Sequence, residues 1–264
     1  MLSTVILFAG GKGTRLMPVT EATPKPLVNI GDRPIMWHIM KYLSSFKINK
    51  FVIATGYKHE LIADYWLNYH KQASGKLAIS TANDKISCDG DIEKWDIRIN
   101  NTGLENGTAS RLYQLKNVIS EESFLVIYGD NLADIDISAL ENAYKKALTN
   151  GCLGVISIHR PVSRFGIVKF NDQKITDFVE KPQSSEYINI GFMVFSKKIF
   201  DYMDKMGINK DNMMESPLLT NLAKDGKLGY YIHDGFWEPM DSYRDYMKLN
   251  DPWISGKAPW KVWE

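Results

Sequence analysis

The sequence predicts an α/β fold in which helices cross between the strands of a mainly parallel sheet. Strand and helix patterns alternate through most of residues 1–160, which is typical of crossover connections. Several strands are continuous apolar runs that end in glycine, as expected where both faces of a strand are buried. The chain has 264 residues, 44% hydrophobic and 24% charged, so it can bury a full core in one large or two small domains.

The individual elements follow from hydrophobic periodicity. Helices are predicted where apolar residues recur on one face, as Ile35, Ile39 and Leu43 do behind Pro34, a residue suited to a first helical turn. Strands are predicted for apolar or alternating runs. In chain order these elements are strand 4–9, helix 34–46, strand 51–56, helix 59–69, strand 123–128, helix 137–149 and strand 153–159.

Beyond residue 160 the pattern changes to alternation. The segments 165–170, 174–179 and 192–195 predict strands of a small second subregion. The tail carries Trp253, Trp260 and Trp263, and we expect it to pack against the body or another subunit. Because no clean linker interrupts the chain, we predict a single domain over residues 1–264. Its parts are a first half over 1–160, a second half over 161–250 and the Trp-rich tail over 251–264.

Composition excludes several kinds of partner. The formal net charge of +1 gives no global field for nucleic acid, so an anion must be bound by a local site. Two cysteines, Cys88 and Cys152, make neither a disulfide framework nor a metal cluster, and the reducing cytoplasm is the expected location. The apolar run Thr4–Ala9 lacks a basic leader and is far shorter than the roughly 20 residues of a membrane helix, so no membrane association is expected.

Three predicted strands end at glycines, and ligands of open α/β sheets bind beyond such carboxyl ends. These ends are Ala9-Gly10, Gly56 and Gly129-Asp130. The first continues as Gly10-Gly11-Lys12-Gly13-Thr14-Arg15-Leu16, which we call the glycine loop (residues 10–16). Its backbone N–H groups can cradle phosphates, and Arg15 adds a planar fork of donors. The spacing fits neither a P-loop nor a dinucleotide fingerprint, and a tight turn with a solvated arginine is the alternative.

A lysine held between two prolines follows the glycine loop. Pro24 and Pro26 stiffen the backbone around Lys25. A cation held at a fixed point can neutralise charge that grows on an α-phosphate. The alternative is a simple proline turn.

Carboxylates beyond the sheet predict a cation site. Asp130 follows a buried strand, and Asp241 lies far downstream. Two converging carboxylates with phosphate oxygens suit Mg²⁺. Asp134 and Asp136 form an Asp-x-Asp that could instead be a glycosyltransferase metal motif; we interpret them as loop and helix-cap residues, because a predicted helix begins just after them.

A further cation follows a strand in Glu180-Lys181-Pro182. Lys181 stands at the strand end, where the phosphate of an acceptor could sit. A plain surface ion pair between Glu180 and Lys181 is the alternative.

Together, and in this order, these motifs resemble the nucleotide-sugar pyrophosphorylases. The segments shared with the wider superfamily are 9–16, 24–26, 128–130 and 180–182. Those closer to the glucose-1-phosphate cytidylyltransferases are 37–41, 235–241 and 256–264. The likeness extends from the first strand to the last residue, and the chain is identified as a member of the superfamily.

The resemblance implies a Rossmann-like, mixed and mainly parallel sheet flanked by helices, with a small acceptor-side subregion. It implies that CMP passes from CTP to a phosphorylated small molecule, glucose 1-phosphate by resemblance, with Mg²⁺ as cofactor and release of pyrophosphate. Members are commonly oligomers, so we expect a homo-oligomer. A glycosyltransferase and a catalytically inactive relative are the alternatives from other classes.

The resemblance also implies roles for individual residues. Catalysis falls to Arg15, Lys25, Asp130 and Asp241, of which the last two hold the metal. The nucleotide would be bound by Ala9, Gly10, Gly11, Gly13, Thr14, Arg15, Lys25 and Arg111. The acceptor would be bound by Tyr128, Glu180, Lys181 and Asn189. For Arg111 the alternative is a helix-surface arginine.

The sequence departs from the family pattern in the acceptor segment, Asn189-Ile190-Gly191-Phe192, where the sugar enzymes usually have glycine in place of Ile190. Isoleucine is expected to fill space that glycine leaves for a ligand. The hypothesis that follows is a different acceptor, such as a phosphorylated amino acid amide, with the nucleotidyl chemistry unchanged.

Overall fold

The computed structural model describes residues 2–16, 19–73, 76–83, 85–89 and 92–263, so the two ends of the predicted domain, residues 1 and 264, lie outside it. The strands are β1 Thr4–Ala9, β2 Asn29–Ile30, β3 Arg33–Pro34, β4 Lys50–Thr55, β5 Lys76–Ser80, β6 Lys85–Asp89, β7 Asp96–Asn101, β8 Ser123–Tyr128, β9 Asn131–Ala133, β10 Gly154–His159, β11 Ile167–Asn171, β12 Lys174–Val179, β13 Ile188–Ser196, β14 Leu228–Ile232 and β15 Trp237–Pro239. The α-helices are α1 Val19–Ala22, α2 Ile35–Ser45, α3 His59–Leu67, α4 Tyr69–Ala73, α5 Thr108–Gln114, α6 Ile137–Thr149, α7 Ile199–Met206, α8 Leu218–Lys224 and α9 Tyr243–Ile254. Short 3-10 turns span Thr14–Leu16 and Lys25–Leu27.

Within the described residues, seven strands form the central sheet in the order β14-β10-β13-β8-β1-β4-β7. β1 pairs in parallel with β4 and with β8, and β4 pairs in parallel with β7. β13 runs antiparallel between β8 and β10, and β14 runs parallel to β10. The predicted fold class, a mixed and mainly parallel sheet flanked by helices, is confirmed.

Helices cover both faces of β1, which explains why its sequence is apolar without alternation. Leu7 belongs to one buried cluster with helix α2, and Phe8 belongs to a second cluster with helices α5, α7 and α8. Successive side chains of a strand point to opposite faces, so a strand with helices on both faces needs an apolar residue at every position. The site at its carboxyl end therefore stands on a rigid, fully buried strand.

Two acidic residues interpreted from sequence as local structural residues have that role. The Asp136 carboxylate accepts a hydrogen bond from the Ala139 amide at 2.9 Å and caps α6. The Asp134 carboxylate accepts from the Phe236 amide at 2.7 Å. Because both are engaged with backbone N–H groups, the structure favours the cap and loop interpretation over a glycosyltransferase metal motif.

The structure differs from the prediction in the second half of the chain. The predicted strands 165–170 and 174–179 correspond to β11 and β12, which form a separate two-stranded hairpin. The predicted strand 192–195 instead belongs to β13 in the central sheet, because its side chains pack into the core on both faces. In the first half of the chain, the strands β5 to β7 were not predicted. β7 alternates polar residues with the partly buried Ile97 and Ile99, a weaker signal than the continuous apolar runs of β1 and β8. Among the described helices, none combines the length and apolarity needed to cross a membrane.

The tryptophan-rich tail packs against the body, as predicted. Trp260 is fully buried, and its indole N–H donates to His38 Nδ1 at 3.4 Å. His38, on α2, lies edge to face with Trp253 at 4.4 Å between ring centroids. Its Nε2 donates to the Ile30 carbonyl at 2.9 Å. Since a carbonyl only accepts, this pattern fits the neutral imidazole, with Nδ1 as the acceptor for the tail.

The buried, neutral His38 ring predicts a loss of stability in mild acid. Burial lowers the pKa of His38 from 6.5 to about 4, against a smaller opposing effect of the hydrogen bond to Ile30. The unfolded chain therefore takes up the proton first, so the contribution of the neutral ring is complete above pH 6.5 and is lost as the pH falls toward 4. We expect the free energy of unfolding in urea to fall by about 2 kcal/mol between about pH 7.5 and about pH 5 from this residue alone. In His38→Gln, which cannot titrate, the decrease should be smaller by that amount; an equal decrease would contradict the assignment.

Candidate functional site

The largest group of predicted site residues meets in one cavity at the carboxyl ends of β1 and β8. Its volume is about 530 Å³. The predicted nucleotide-binding residues that line it are Ala9, Gly10, Gly11, Gly13, Thr14, Arg15, Lys25 and Arg111. The predicted metal ligands Asp130 and Asp241 and the aromatic ring of Tyr128 line it as well. The position agrees with the rule that open α/β sheets bind ligands beyond the carboxyl ends of their strands.

Lys25 lies between the two predicted metal ligands. Its Nζ atom is 2.7 Å from Asp130 Oδ2 and 2.7 Å from Asp241 Oδ1. Lys25 is only 8% exposed, so its ammonium group has left most of its water and depends on these carboxylates. The three side chains form one charge cluster, which we call the Lys25 cluster (Lys25, Asp130 and Asp241).

Local and long-range structure together build this cluster. Pro24 is extended, at φ −62° and ψ 143°, and Lys25 opens the 3-10 turn that follows. Asp130 and Asp241 are distant in sequence, but β9 begins just after Asp130 and β15 ends just before Met240. These two strands pair antiparallel, and the Met240 amide donates to the Asp130 carbonyl at 2.8 Å. The ribbon of β9 and β15 thereby brings the two carboxylates to the same point.

Neighbouring cations keep Asp241 ionised. Burial by itself would raise the pKa of Asp241, but the hydrogen bond and charge of Lys25, followed by the charges of Arg15 and Arg164, hold this pKa below its ordinary value. Arg15 Nη1 lies 3.2 Å from Asp241 Oδ2, with a side chain that is 77% exposed. Arg15 is therefore an exposed donor at the mouth of the cavity, whereas Lys25 is a buried donor inside it.

The residues present fit a divalent cation that is shared with a ligand. The two carboxylates converge on a single positive atom, which is the arrangement one cation needs. Among the described residues, no group of three or more His, Cys, Asp or Glu side chains could hold a metal by itself. Mg²⁺ is suited to such a site, since it binds through one or two carboxylates and takes its other oxygens from phosphates and water.

Arg111 holds the loops around the cavity together. It is only 4% exposed, although it lies on α5 behind the glycine loop. Its guanidinium donates to Thr102 Oγ1 at 2.7 Å and to the backbone carbonyls of Thr55, Gly103, Gly10 and Leu104 at 2.7 to 3.3 Å. These acceptors lie at or just after the carboxyl ends of β1, β4 and β7. The alternative of a helix-surface arginine is therefore wrong, because the side chain is buried and its guanidinium donates to five acceptors.

Two glycines leave the space that Arg111 occupies. A Cβ atom added at Gly10 or at Gly56 would collide with the guanidinium group. Glycine at position 10 therefore allows close packing against the Arg111 side chain, besides any approach to a ligand. Gly13 has φ +62°, in the left-handed region that glycine adopts readily, and its carbonyl accepts from Thr20 Oγ1 at 2.8 Å.

The predicted acceptor residues are only partly brought to the cavity. Tyr128 lines the cavity, and its hydroxyl group donates a hydrogen bond to the Glu215 carboxylate. Asn189 lies on β13, and its Oδ1 accepts from the Gly191 amide at 3.1 Å. Glu180 and Lys181 follow β12 on the hairpin and are exposed, 3.5 Å apart. Neither of these two nor Asn189 lines the cavity.

The position of the Ile190 side chain contradicts the expectation about the acceptor segment. Its side chain is 1% exposed and belongs to the main buried cluster, so the expectation that it fills ligand space is wrong. The neighbouring Gly191 has φ +79°, and an added Cβ there would collide with the ring of Tyr128, which lines the cavity. Alternation along β13 turns Ile190 inward, and the argument for an altered acceptor loses its basis.

Four residues of the cavity wall lie outside the predicted strands and motifs and were not predicted as site residues. They are Asn106, Thr108, Met213 and Glu215. The first two precede or open α5, and the Thr108 hydroxyl accepts from the Met214 amide at 2.8 Å, which fixes the loop that carries Met213 and Glu215. No local motif marks these residues, since they reach the cavity through contacts about 100 positions apart in sequence.

Comparisons with known proteins agree with the family that the sequence motifs predict. The chain matches the family described as nucleotidyl transferase over residues 4–253. It is 39% identical to the probable glucose-1-phosphate cytidylyltransferase of Bacillus subtilis over 258 residues, which are 98% of this chain and 99% of that protein. It is 36% identical to the glucose-1-phosphate cytidylyltransferase of Salmonella typhimurium over 261 residues, 98% of this chain and 99% of that protein.

Solved structures share the fold at lower identity. UDP-glucose pyrophosphorylase in complex with UDP-glucose superposes with a TM-score of 0.67 at 21% identity, covering 97% of this chain and 100% of that one. The inositol-1-phosphate CTP transferase from T. maritima superposes with a TM-score of 0.66 at 17% identity, covering 100% of this chain and 98% of that one. At these identities the likeness concerns the arrangement of sheet and helices.

Proposed function

Because this chain belongs to the nucleotidyl transferase family, we propose that it transfers CMP from CTP to glucose 1-phosphate and releases pyrophosphate. The observation that carries the proposal is the Lys25 cluster beside the glycine loop, in a cavity open to solvent. The base and the acceptor follow the names of its cytidylyltransferase relatives, which match nearly the whole chain. With Ile190 buried in the core, no observation favours a different acceptor.

The proposed mechanism depends on position and charge. An oxygen of the acceptor phosphate attacks the α-phosphorus of CTP, and pyrophosphate leaves in line. Both reactants are anions, so the protein has to hold them together and neutralise their repulsion. The backbone N–H groups of the glycine loop and Arg15 would bind the triphosphate. Lys25 would contact the α-phosphate, where negative charge grows.

The proposed cofactor is Mg²⁺, held by Asp130 and Asp241. When bound, it would supply charge neutralisation at the phosphate oxygens. A general base is not required, because the attacking phosphate is already ionised at neutral pH. Arg111 is then a positioning residue, because its donors are committed to backbone carbonyls and Thr102 rather than to the cavity.

Pyrophosphate release tests the proposal. Purified protein is assayed with Mg²⁺ and each of CTP, UTP, dTTP, ATP and GTP against a panel of phosphorylated acceptors. We expect turnover with CTP and glucose 1-phosphate, with pyrophosphate and the nucleotide sugar formed in equal amounts. Turnover only with a non-hexose phosphate would overturn the acceptor, and a lack of release with every pair would overturn the reaction.

The hairpin of β11 and β12 supports a proposed homo-oligomer. Its apolar side chains are exposed on both strands, including Phe170 at 76% and Phe178 at 62%. An isolated two-stranded hairpin is marginally stable in water, and contiguous exposed apolar residues mark interaction sites. A second copy of the chain is the proposed cover, since most oligomers of soluble proteins are built from identical chains. The proposed location is the cytoplasm, on the two cysteines of the sequence.

Removing the apolar side chains is expected to dissociate this assembly. The double substitution Phe170→Ser and Phe178→Ser should reduce the mass measured by light scattering to that of one chain, because a large exposed aromatic side chain is lost from each strand of the hairpin. Leu67→Ser is the matched control, since Leu67 is an equally exposed apolar residue on α3, away from the hairpin. A wild-type protein that is already monomeric at high concentration would contradict the proposal.

A further inference from the structure

The Lys25 cluster has a property that the proposed mechanism does not use: one buried cation already occupies the point where the two carboxylates converge. Lys25 Nζ is 2.7 Å from an oxygen of each aspartate. A divalent cation bound where Asp130 and Asp241 converge would compete with Lys25 for these oxygens. Two cations a few ångströms apart repel each other, so the ammonium group and a divalent cation compete for this point.

Lys25 has no comparable alternative while the cavity holds no anion. Among the described residues, its Nζ hydrogen bonds go to Asp130 and Asp241. The backbone cannot move the group away easily, because Lys25 stands between two prolines and in a 3-10 turn closed by a hydrogen bond from the Leu27 amide to the Pro24 carbonyl at 2.8 Å. An ammonium that left the aspartates would remain buried without a partner, at a considerable cost in free energy.

A nucleoside triphosphate changes this balance. It brings phosphate oxygens that can accept from Lys25 and others that can complete the shell of the metal. We infer that Lys25 is the resident counter-ion of the metal site, which keeps the divalent cation out until a triphosphate draws the ammonium group away. Metal and nucleotide then bind with positive coupling, and the coupling is reciprocal.

This inference rests on the proposed function for the identity of the nucleotide, and its test does not need turnover. Free Mn²⁺ is titrated with nucleotide-free protein, and the bound fraction is measured by electron paramagnetic resonance. Wild type is expected to bind weakly. Lys25→Met keeps the aliphatic stem and removes the charge, and it is expected to bind Mn²⁺ at least about tenfold more tightly, within the usual range of coupling between sites.

Two controls separate this role from a general effect of charge. Lys25→Arg keeps a cation at the point and is expected to bind as weakly as wild type. Lys12→Gln removes one charge from the glycine loop in the wall of the same cavity, where Lys12 pairs with Glu105 at 2.9 Å. It is expected to change the affinity less than about twofold, because exposed charges are screened. If Lys25→Met does not fold, as judged from its circular dichroism, Lys25→Gln replaces it.

Two results would overturn the inference: an Mn²⁺ affinity of Lys25→Met within about twofold of wild type, or an equal gain in Lys25→Arg. Neither depends on the pyrophosphate assay. Turnover of CTP together with an unchanged Mn²⁺ affinity would reject the counter-ion role alone. A gain in Mn²⁺ affinity in a protein that releases no pyrophosphate would keep that role and reject the proposed reaction.

Discussion

Asp241→Asn is expected to lower kcat/KM for pyrophosphate release by about a thousandfold in a protein that stays folded. The substitution removes one of the two charges that converge on the cation point, and it leaves the shape of the side chain unchanged. Neutralisation of phosphate charge is the main contribution of this site to the proposed reaction. Steady-state assays with CTP and glucose 1-phosphate over a range of Mg²⁺ concentrations measure the effect.

Asp136→Asn is the matched control for this prediction. Asp136 caps α6 and does not line the cavity, and asparagine caps helices about as well as aspartate. Activity close to wild type is expected for this variant. If Asp241→Asn retained more than about a tenth of wild-type kcat/KM, Asp241 would not be part of the catalytic machinery.

Arg111→Met is expected to lower the free energy of unfolding by about 3 kcal/mol and to raise the KM for the nucleotide. The buried guanidinium bridges backbone carbonyls at the carboxyl ends of β1, β4 and β7, and its removal takes this bridging donor from all three. The glycine loop packs directly on this group at Gly10, so its phosphate-binding amides lose their support. Urea unfolding gives the stability, and initial rates over a range of CTP concentrations give the KM.

Two further variants identify the cause of that effect. Arg98→Met removes an exposed arginine on β7 and is expected to change the free energy of unfolding by less than about 0.5 kcal/mol. Arg111→Lys keeps the charge without the planar fork, so it should recover only part of the stability. Full stability in Arg111→Met would show that the carbonyl hydrogen bonds do not hold the loops.

Much of the fold could be predicted from the sequence because its signals are local. The strands 4–9 and 123–128 and the helix 137–149 have the predicted bounds, since a run that is buried on both faces or an apolar stripe at helical spacing is specified within the element itself. Residues 10–15 of the glycine loop and Lys25 were also found by local chemistry, and they line the cavity. The strand β13 was assigned to the wrong part of the protein, because pattern does not tell which sheet a strand joins.

The arrangement of the candidate site was decided by tertiary structure. Asp241 reaches Asp130 through the pairing of β9 with β15, and no local spacing records which strands will pair. Arg111 could be recognised as a residue of interest, but its partners are carbonyls of three separate loops. Ile190 turned inward because register in β13 sets the direction of every side chain. The sequence by itself determined which chemical groups the protein has and which elements carry them. Only the packed structure decided which groups share a point in space, because electrostatic and hydrogen-bonding interactions act over a few ångströms between residues far apart in the chain.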